Sequence, residues 1–168
     1  DTFFNKIIRK KSKDKRLKFE YLKIKKFKRM IKFVYQNSPR GTGDAILRSK
    51  KFIKSSHFLV LLPDDLIFKK NCSASLIKLH RQHNSSIIAS KKVKPKEVSR
   101  WGIFNLKKIN KNNFLIKDVV EKPSIRSAPS NYAVIGRYIL PYKIFNILKK
   151  QRPGENGEVH GLIRGGHR

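Results

Sequence analysis

The chain has 168 residues, enough for one domain with a moderate core. Its 41 basic and 11 acidic residues give a net charge of +30, which favours anionic ligands over cationic ones. The longest apolar run has five residues, and Cys72 is the single cysteine, so the sequence excludes a membrane-spanning helix and an internal disulfide. We therefore expect a cytoplasmic protein with no membrane contact and with Cys72 as an unreactive thiol.

The positive charge has two interpretations. A basic surface would bind nucleic acid through its phosphates, without sequence specificity. Alternatively, the charge reflects a compositional drift, because the lysines are spread along the whole chain together with many Ile, Asn and Phe residues. A dedicated nucleic-acid surface is expected to cluster its basic residues on one face, so drift is the favoured interpretation. The densest block, residues 6–32, still predicts weak binding of polyanions.

The first thirty residues are a basic lead-in in which apolar residues recur close to the period of a helix. They predict a basic amphipathic helix. Residues 31–36, IKFVYQ, then predict a strand, and the breaker-rich segment NSPRGTG predicts a turn. A helix is expected after that turn, with Asp44 as its N-cap or as an acid in its first turn.

Strands and helices alternate in the rest of the chain. Residues 58–62, FLVLL, are uniformly apolar and predict a buried central strand of the parallel kind. Helices are predicted for residues 73–83 and 142–150. Four further strands are predicted in SSIIAS, GIFNLKKI, FLIKDVV and NYAVIGRYIL, the last ending before Pro141. The alternation predicts an α/β fold, in which ligands bind beyond the carboxyl ends of the strands.

Two neighbouring carboxylates, Asp64 and Asp65, follow the FLVLL strand. Carboxylates in this position hold Mg²⁺ in many α/β proteins, but they also cap turns and helices, and both interpretations remain open. The segment Gly41-Thr42-Gly43 opens a predicted helix, and its glycines would let a ligand approach the backbone closely. A lone G-x-G is most often only a turn.

Glu121 and Lys122 end another predicted strand. A glutamate can accept hydrogen bonds from sugar hydroxyls and a lysine can meet a phosphate, although a surface pair in a turn before Pro123 is the simpler interpretation. His80 and His83 lie three residues apart on a predicted helix. No third metal ligand is near them in sequence, so a solvated helix face explains them better than a metal site does. No Ser/His/Asp or Cys/His arrangement predicts covalent catalysis.

Five segments together resemble a known family in their order and spacing. They are VYQNSPRGTGDAI, LLPDDL, SIIASKKVKPKEVSRWGIFNL, VVEKPSIRSAPSNYAVIGRYIL and RPGENGEV. In these motifs the chain is similar to the bacterial UTP-glucose-1-phosphate uridylyltransferases. The resemblance implies an incomplete nucleotide-diphosphosugar transferase fold, which is a Rossmann-like three-layer α/β sheet. It also implies the conversion of UTP and glucose 1-phosphate to UDP-glucose and pyrophosphate with Mg²⁺.

The resemblance assigns residues to the nucleotide by motif position. Gln36 and Gly41 would contact the uracil, and Gly43 would shape the loop. Asp64 would bind the Mg²⁺ that bridges the phosphates.

The same resemblance assigns a second set of residues to the sugar phosphate. Gly102 would pack against the glucose, and Glu121 would bond its hydroxyls. Lys122 would meet the phosphate of the sugar and serve as the catalytic cation.

The chain also departs from the family's pattern. The family's glycine-rich G-x-G-T-R segment followed by a Pro-Lys-Glu motif, which together cradle the triphosphate, does not occur in this sequence. Ile163 stands where the family has a second aspartate ligand, and an aliphatic side chain cannot ligate Mg²⁺. Asp44 replaces the family's usual His, and Trp101 replaces its Tyr. We therefore expect impaired or absent turnover.

The expected organisation is a single partial nucleotidyltransferase domain over residues 1–168. It comprises the basic helical lead-in of residues 1–30, the core, and a divergent glycine-rich tail of residues 152–168. Two alternatives remain: half of a split enzyme completed by a second chain, and a basic remnant that binds polyanions or nucleic acid. The sequence leaves open whether the chain forms an oligomer.

Overall fold

The computed structural model describes residues 14–68 and 71–150. The predictions for residues 1–13 and for the tail, including Ile163, lie outside the described residues. The chain divides into two compact units, Asp1–Val34 and Tyr35–Arg168, which are described separately below.

Residues 14–34, the described part of the first unit, contain one long helix. Helix α1 spans Lys15–Met30 and confirms the predicted basic helix. Asp14 caps it, because the carboxylate accepts hydrogen bonds from the backbone N–H groups of Arg16 at 2.9 Å and Leu17 at 3.3 Å. No side chain of α1 is buried.

The strand predicted for residues 31–36 is absent. These residues have no regular secondary structure, and the side chains of Phe33 and Tyr35 are 71% and 79% exposed. A strand needs a neighbour to satisfy its backbone N–H and C=O groups, and none of the described strands pairs with this segment. The prediction was wrong because β propensity does not reveal whether a partner strand is present.

The second unit contains the remaining elements. In chain order they are helix α2 (Gly41–Arg48), a 3₁₀ helix (Ser49–Phe52), strand β1 (His57–Leu61), helix α3 (Cys72–His83), strand β2 (Ile87–Lys92), a 3₁₀ helix (Pro95–Arg100), strands β3 (Gly102–Lys108), β4 (Phe114–Glu121) and β5 (Tyr132–Pro141), and helix α4 (Ile144–Leu148). The helices and strands predicted after residue 40 are all present, although α4 is shorter than predicted. Within the described ranges, no helix combines the length and the apolar character needed to cross a bilayer.

Strand β5 is the centre of the sheet. Tyr138 pairs with residues of both β1 and β2, so these two strands lie on opposite sides of β5. Ala133 pairs with residues of both β2 and β3, so β3 lies on the same side as β1, farther along β5. Strand β4 pairs with the outer edge of β3.

The prediction of a buried parallel strand at FLVLL was wrong. All described pairings are antiparallel, and β1 pairs with β5 alone among the described strands. Leu61 is 53% exposed, as expected for an edge strand. Strands β1 and β2 do run in the same direction, but β5 lies between them. A β-α-β sequence pattern cannot reveal that a later strand inserts between its two strands.

Helices cover both faces of the sheet. Val134, Tyr138 and Leu140 of β5 face one way and pack in a core that includes residues of α2 and α4. Ile139 faces the other way and packs with Leu76 of α3. The second unit therefore has the predicted three-layer α/β arrangement.

Candidate functional site

Two segments that are distant in sequence meet along one side of β5. Strand β1 ends opposite Arg137, and the backbone N–H of Leu62 donates to the carbonyl of Gly136 at 2.9 Å. Strand β3 begins farther along the same side, close to Ala133. The sheet therefore places the segment after β1, which carries Asp64, on the same side of β5 as the start of β3.

The two neighbouring carboxylates have different surroundings. Oδ2 of Asp65 accepts a hydrogen bond from the backbone N–H of Gly136 at 2.6 Å, so this side chain ties the loop to β5. Asp64 is exposed, and its carboxylate has no hydrogen-bond partner among the described residues. Asp65 thus anchors the loop to β5 and does not cap the next helix, whose N-cap is Asn71, while Asp64 remains accessible to a ligand.

Arg137 holds the same loop from the strand side. One guanidinium nitrogen donates to the carbonyls of Leu62 and Gly136, both at 2.8 Å, and the other donates to the carbonyl of Asp65 at 2.6 Å. The sequence analysis did not single out this residue. A signal was available, because Arg137 is the one charged side chain in the apolar strand Tyr132–Pro141.

Gly136 permits the close approach of the loop to β5. A Cβ added at Gly136 would lie within 2.7 Å of the Leu62 side chain at its Cβ, Cγ and Cδ1 atoms, which no real contact tolerates. Only a residue without a side chain fits here. Gly136, Arg137 and Asp65 together fix the position from which Asp64 projects.

Glu121 ends β4 beside the start of β3, and Lys122 follows it. Gly102 is the register partner of Glu121, and a Cβ added at Gly102 would lie 3.0 Å from Oε2 of Glu121. The backbone N–H of Lys122 donates to the carbonyl of Trp101 at 3.0 Å. The side chains of Glu121 and Lys122 are both exposed. The structure thus brings Gly102, Glu121 and Lys122 together at the start of β3.

Lys122 has an unusual backbone conformation. Its φ is 44°, in the left-handed region that residues other than glycine seldom adopt. Such conformations cost free energy and are concentrated at functional sites. The hydrogen bond to Trp101 holds this conformation, which turns the chain sharply after Glu121.

Gln36 belongs to a second group, at the start of α2. Its amide Nε2 donates to the carbonyl of Gly41 at 3.1 Å and to Oδ2 of Asp44 at 2.6 Å, and Arg48 donates to the same oxygen at 2.8 Å. Gly41 has a φ of 86°, which requires glycine. Gly43 lies in the first turn of α2 rather than in the loop where the sequence analysis placed it, because the helix already begins at Gly41.

The hydrogen bonds to Asp44 stabilise its charged form. The guanidinium of Arg48 and, next, the amide of Gln36 hold the pKa of the Asp44 carboxyl below its ordinary value of 3.8, although partial burial acts in the opposite direction. Asp44 lies in the first turn of α2, which confirms the second of the two alternatives predicted from the sequence. Asp44 is ionised near neutral pH and holds the side chains of Gln36 and Arg48 in place.

The donor set at the loop after β1 is compatible with Mg²⁺. This ion prefers oxygen ligands, keeps several waters and is often bound through one or two carboxylates together with substrate phosphates. The exposed carboxylate of Asp64 fits that pattern. Residues 14–68 and 71–150 contain no group of three or more His, Cys, Asp or Glu side chains able to hold a metal. Mg²⁺ at Asp64 would therefore need phosphate oxygens as further ligands.

A separate cavity of about 420 Å³ lies between α3, β2 and the β3–β4 hairpin. Its lining includes Leu76, Ile88, Phe104 and Phe114 and is mostly apolar. None of the residues assigned to the site from sequence lines it. The candidate site is therefore not this cavity but the open surface at the loop after β1, the start of β3 and the end of β4.

The sequence profile of the nucleotidyl transferase family matches residues 4–162. The chain belongs to this family. A UTP–glucose-1-phosphate uridylyltransferase of Streptococcus pyogenes is 39% identical over 135 residues, which are 77% of this chain and 44% of that protein.

Solved structures agree with this assignment. UDP-glucose pyrophosphorylase complexed with UDP-glucose matches 78% of this chain and 51% of its own, with 37% identity and a TM-score of 0.70. The UTP-bound enzyme from Acinetobacter baumannii matches 98% of this chain and 58% of its own, with 26% identity and a TM-score of 0.72.

This nucleotidyltransferase chain spans about half the length of the curated relatives it matches. The family and the α/β fold predicted from the sequence are confirmed. The roles that motif position assigns to Gln36, Gly41, Gly43, Asp64, Gly102, Glu121 and Lys122 stay predictions.

Proposed function

We propose that the surface formed by Asp64, Gly102, Glu121 and Lys122 is the sugar-nucleotide site of a UTP-glucose-1-phosphate uridylyltransferase. The observation that carries the proposal is that the loop with Asp64 and the end of the β3–β4 pair with Gly102, Glu121 and Lys122 lie along the same side of β5. The names of the relatives supply the substrates: UTP, glucose 1-phosphate and the product UDP-glucose.

The proposed reaction transfers a uridylyl group between two phosphates. A phosphate oxygen of glucose 1-phosphate attacks the α-phosphorus of UTP, and the bond from that phosphorus to the departing pyrophosphate breaks. No covalent intermediate with the protein is required. The protein therefore contributes by positioning two anions and neutralising their charge.

The side chains of the site fit these tasks. The ammonium of Lys122 would meet the sugar phosphate, and the carboxylate of Glu121 would accept hydrogen bonds from glucose hydroxyls. Gly102 leaves the space beside Glu121 free for the sugar. Asp64 would hold Mg²⁺, which, when bound, would offset the negative charge of the phosphates.

The nucleotide end of the site would use Gln36. Both donors of its amide are engaged with Gly41 and Asp44, so its Oε1 atom is left to accept a hydrogen bond. Uracil offers a ring N–H for that bond. Ile163, which cannot ligate a metal, supports our further proposal that turnover by this chain is impaired.

Calorimetric titration of UDP-glucose into the purified chain with Mg²⁺ tests the proposal. Asp64→Ala and Lys122→Gln should each weaken binding at least about tenfold, whereas Lys117→Gln, an exposed lysine on β4, should not. The sample must be free of nucleic acid and show a cooperative unfolding transition. No binding in such a sample, or equal binding by all variants, would refute the assignment.

Helix α1 favours a second function, non-specific binding of polyanions. It has eight basic residues and one acidic residue in 16 positions, and no side chain is buried. We propose that it contacts phosphates of nucleic acid. Replacing Lys25, Lys26, Lys28 and Arg29 with Gln should flatten the salt dependence of single-stranded RNA binding. An unchanged slope would refute this function without affecting the first.

We also propose a cytoplasmic, reducing location. The single free cysteine, Cys72, supports it, because proteins of oxidising compartments more often carry paired cysteines.

A further inference from the structure

Two histidines from separate elements lie in contact at the end of β1 opposite to Asp64. His57 begins β1, and His80 lies in the last turn of α3. Their ring centroids are 4.4 Å apart, and the ring planes are tilted by 48°. Both side chains are partly buried, so the surrounding elements limit the movement of the rings.

The hydrogen bond of His80 determines which of its nitrogens has a free lone pair. Nδ1 of His80 lies 2.7 Å from the backbone carbonyl oxygen of Ser85. A carbonyl oxygen only accepts, so Nδ1 must carry the proton, and Nε2 of the neutral ring keeps its lone pair. Metal-ligating histidines are commonly fixed in this way by a carbonyl behind the ring.

His57 also has a nitrogen available. Its Nδ1 lies 3.3 Å from the hydroxyl of Ser56, a weak contact. Neither Nε2 of His57 nor Nε2 of His80 has a hydrogen-bond partner among the described residues. The pair thus presents two imidazoles whose Nε2 atoms are not engaged elsewhere in the fold.

Groups around the histidine pair have opposite effects on a positive charge placed there. His80 lies at the C-terminal end of α3, where unsatisfied carbonyls favour a positive charge. Burial, the neighbouring His80 and the ammonium of Lys143 each disfavour a further positive charge on His57. Removing the lysine charge should therefore strengthen cation binding at the pair.

We infer that His57 and His80 form a two-imidazole site for a divalent first-row transition ion such as Zn²⁺, with water in the remaining positions. Imidazole is a preferred ligand of Zn²⁺, Ni²⁺ and Cu²⁺. The described residues offer no third His, Cys, Asp or Glu side chain close enough to join the pair, so the site is weaker than a structural zinc site. The inference is independent of the proposed uridylyltransferase activity.

Such an ion would join β1 to α3. The two ligands are distant in sequence and come together only in the folded chain, so the ion binds the native state preferentially and raises the unfolding temperature. It would act across the apolar cluster in which Leu59 of β1 packs with Leu76 of α3.

Thermal unfolding of the full chain, freed of metal and then titrated with ZnCl₂, tests the inference. The wild type should show a rise in unfolding temperature that saturates, and His57→Gln and His80→Gln should each abolish it. His83→Gln, on the same helix but not in contact with the pair, should keep it, as should the double change His160→Gln and His167→Gln in the tail. Lys143→Gln should lower the Zn²⁺ concentration at half-saturation.

Electron paramagnetic resonance of the Cu²⁺-loaded wild type provides a measurement that does not depend on the stability of a variant. Coupling to two imidazole nitrogens is expected, and coupling to none or one would overturn the inference. A Zn²⁺ effect that persists in either the His57 or the His80 variant, that disappears with the tail histidines, or that is absent in the wild type would overturn it equally. Asp64→Ala should leave the effect unchanged, which separates this site from the proposed Mg²⁺ site.

Discussion

The amide nitrogen of Gln36 lies 2.6 Å from Oδ2 of Asp44, and this contact fixes the orientation of the Gln36 amide. A carboxylate only accepts hydrogen bonds, so the NH₂ group must face Asp44 and the oxygen must face away. Arg48 donates to the same oxygen at 2.8 Å and holds the carboxylate in place. The contact therefore orients an acceptor towards whatever binds in front of α2.

This orientation predicts a preference for uracil. Uracil carries an N–H at the ring position where cytosine has only a lone pair. The outward-facing Oε1 of Gln36 therefore accepts a hydrogen bond from uracil, whereas it is repelled by the lone pair of cytosine. Asp44→Ala should free the amide to rotate and reduce the preference for UDP-glucose over CDP-glucose by roughly tenfold, the value of about one hydrogen bond. Calorimetric titration of both ligands into both proteins measures it.

The control for this experiment is Glu97→Ala, which removes an acid that caps a 3₁₀ helix away from Gln36. It should leave the preference unchanged. If Asp44→Ala weakens both ligands equally, then Asp44 affects the fold of α2 and not the orientation of the amide.

Stability at acid pH should also depend on Asp44. Its pKa in the folded chain is depressed by Arg48 and Gln36, so the folded state binds this proton less readily than the unfolded state. Ionised Asp44 thus stabilises the fold above the unfolded pKa of about 3.9, and this contribution disappears as the pH falls through the lower folded pKa. Asp44→Asn should remove the effect.

Urea unfolding of the wild type and Asp44→Asn at pH 5, 4, 3 and 2, chosen as round steps across the roughly 3.9 pKa of an aspartate, measures this contribution. The difference in free energy of unfolding between the two proteins should shrink as the pH falls. A difference that is constant over this range would contradict the assignment of the depressed pKa to Asp44.

The helices and strands of the second unit could be predicted from the sequence more reliably than which of them lie next to each other. Periodicity and breakers located α2, α3 and β2 to β5, because these signals are local. The strand at residues 31–36 and the direction of pairing of β1 depend on which segments lie alongside, and no local signal carries that information. Strand β5 shows the reason: it is the last of the described strands in chain order, and yet it lies between β1 and β2.

The site could be predicted in part for the same reason. Motif resemblance selected Asp64, Gly102, Glu121 and Lys122, and the sheet pairs Gly102 with Glu121 while the loop with Asp64 lies along the same side of β5. The sequence left open whether the two carboxylates bind a metal or cap a turn or helix, and it could not reveal that Asp65 bonds a backbone N–H of Gly136 distant in sequence. Arg137 was missed, although its isolated charge in an apolar strand is visible without a structure.

The two glycines beside the site should respond differently to alanine. A Cβ at Gly136 would overlap the side chain of Leu62, which is held against β5 by a backbone hydrogen bond and has no room to withdraw. Gly136→Ala should therefore lower the free energy of unfolding by about 1–3 kcal/mol, the usual cost of overpacking. Urea unfolding measures it.

Gly102→Ala is the matched comparison. Its Cβ would lie 3.0 Å from Oε2 of Glu121, the end of a flexible and exposed side chain that can move. Stability should change by less than about 0.5 kcal/mol, as at other surface positions, while UDP-glucose binding weakens because Glu121 is displaced. Equal losses of stability in the two variants would contradict the proposed difference in packing.

Arg137→Met should release the loop that carries Asp64. The guanidinium donates to the carbonyls of Leu62, Asp65 and Gly136, and methionine keeps much of the length of the side chain but none of the donors. We expect a loss of about 2–3 kcal/mol in the free energy of unfolding, because charged hydrogen bonds are removed and carbonyls lose their partners. Mg²⁺-dependent binding of UDP-glucose should weaken as well, since Asp64 projects from this loop.

Arg137→Lys separates the role of the charge from that of the geometry. A lysine keeps the positive charge but cannot donate to three carbonyls in the fixed planar arrangement of a guanidinium, so it should recover only a small part of the lost stability. Full recovery by lysine would mean that the charge alone anchors the loop. A stable Arg137→Met variant that binds UDP-glucose normally would mean that Gly136 and Asp65 hold the loop without help from the arginine.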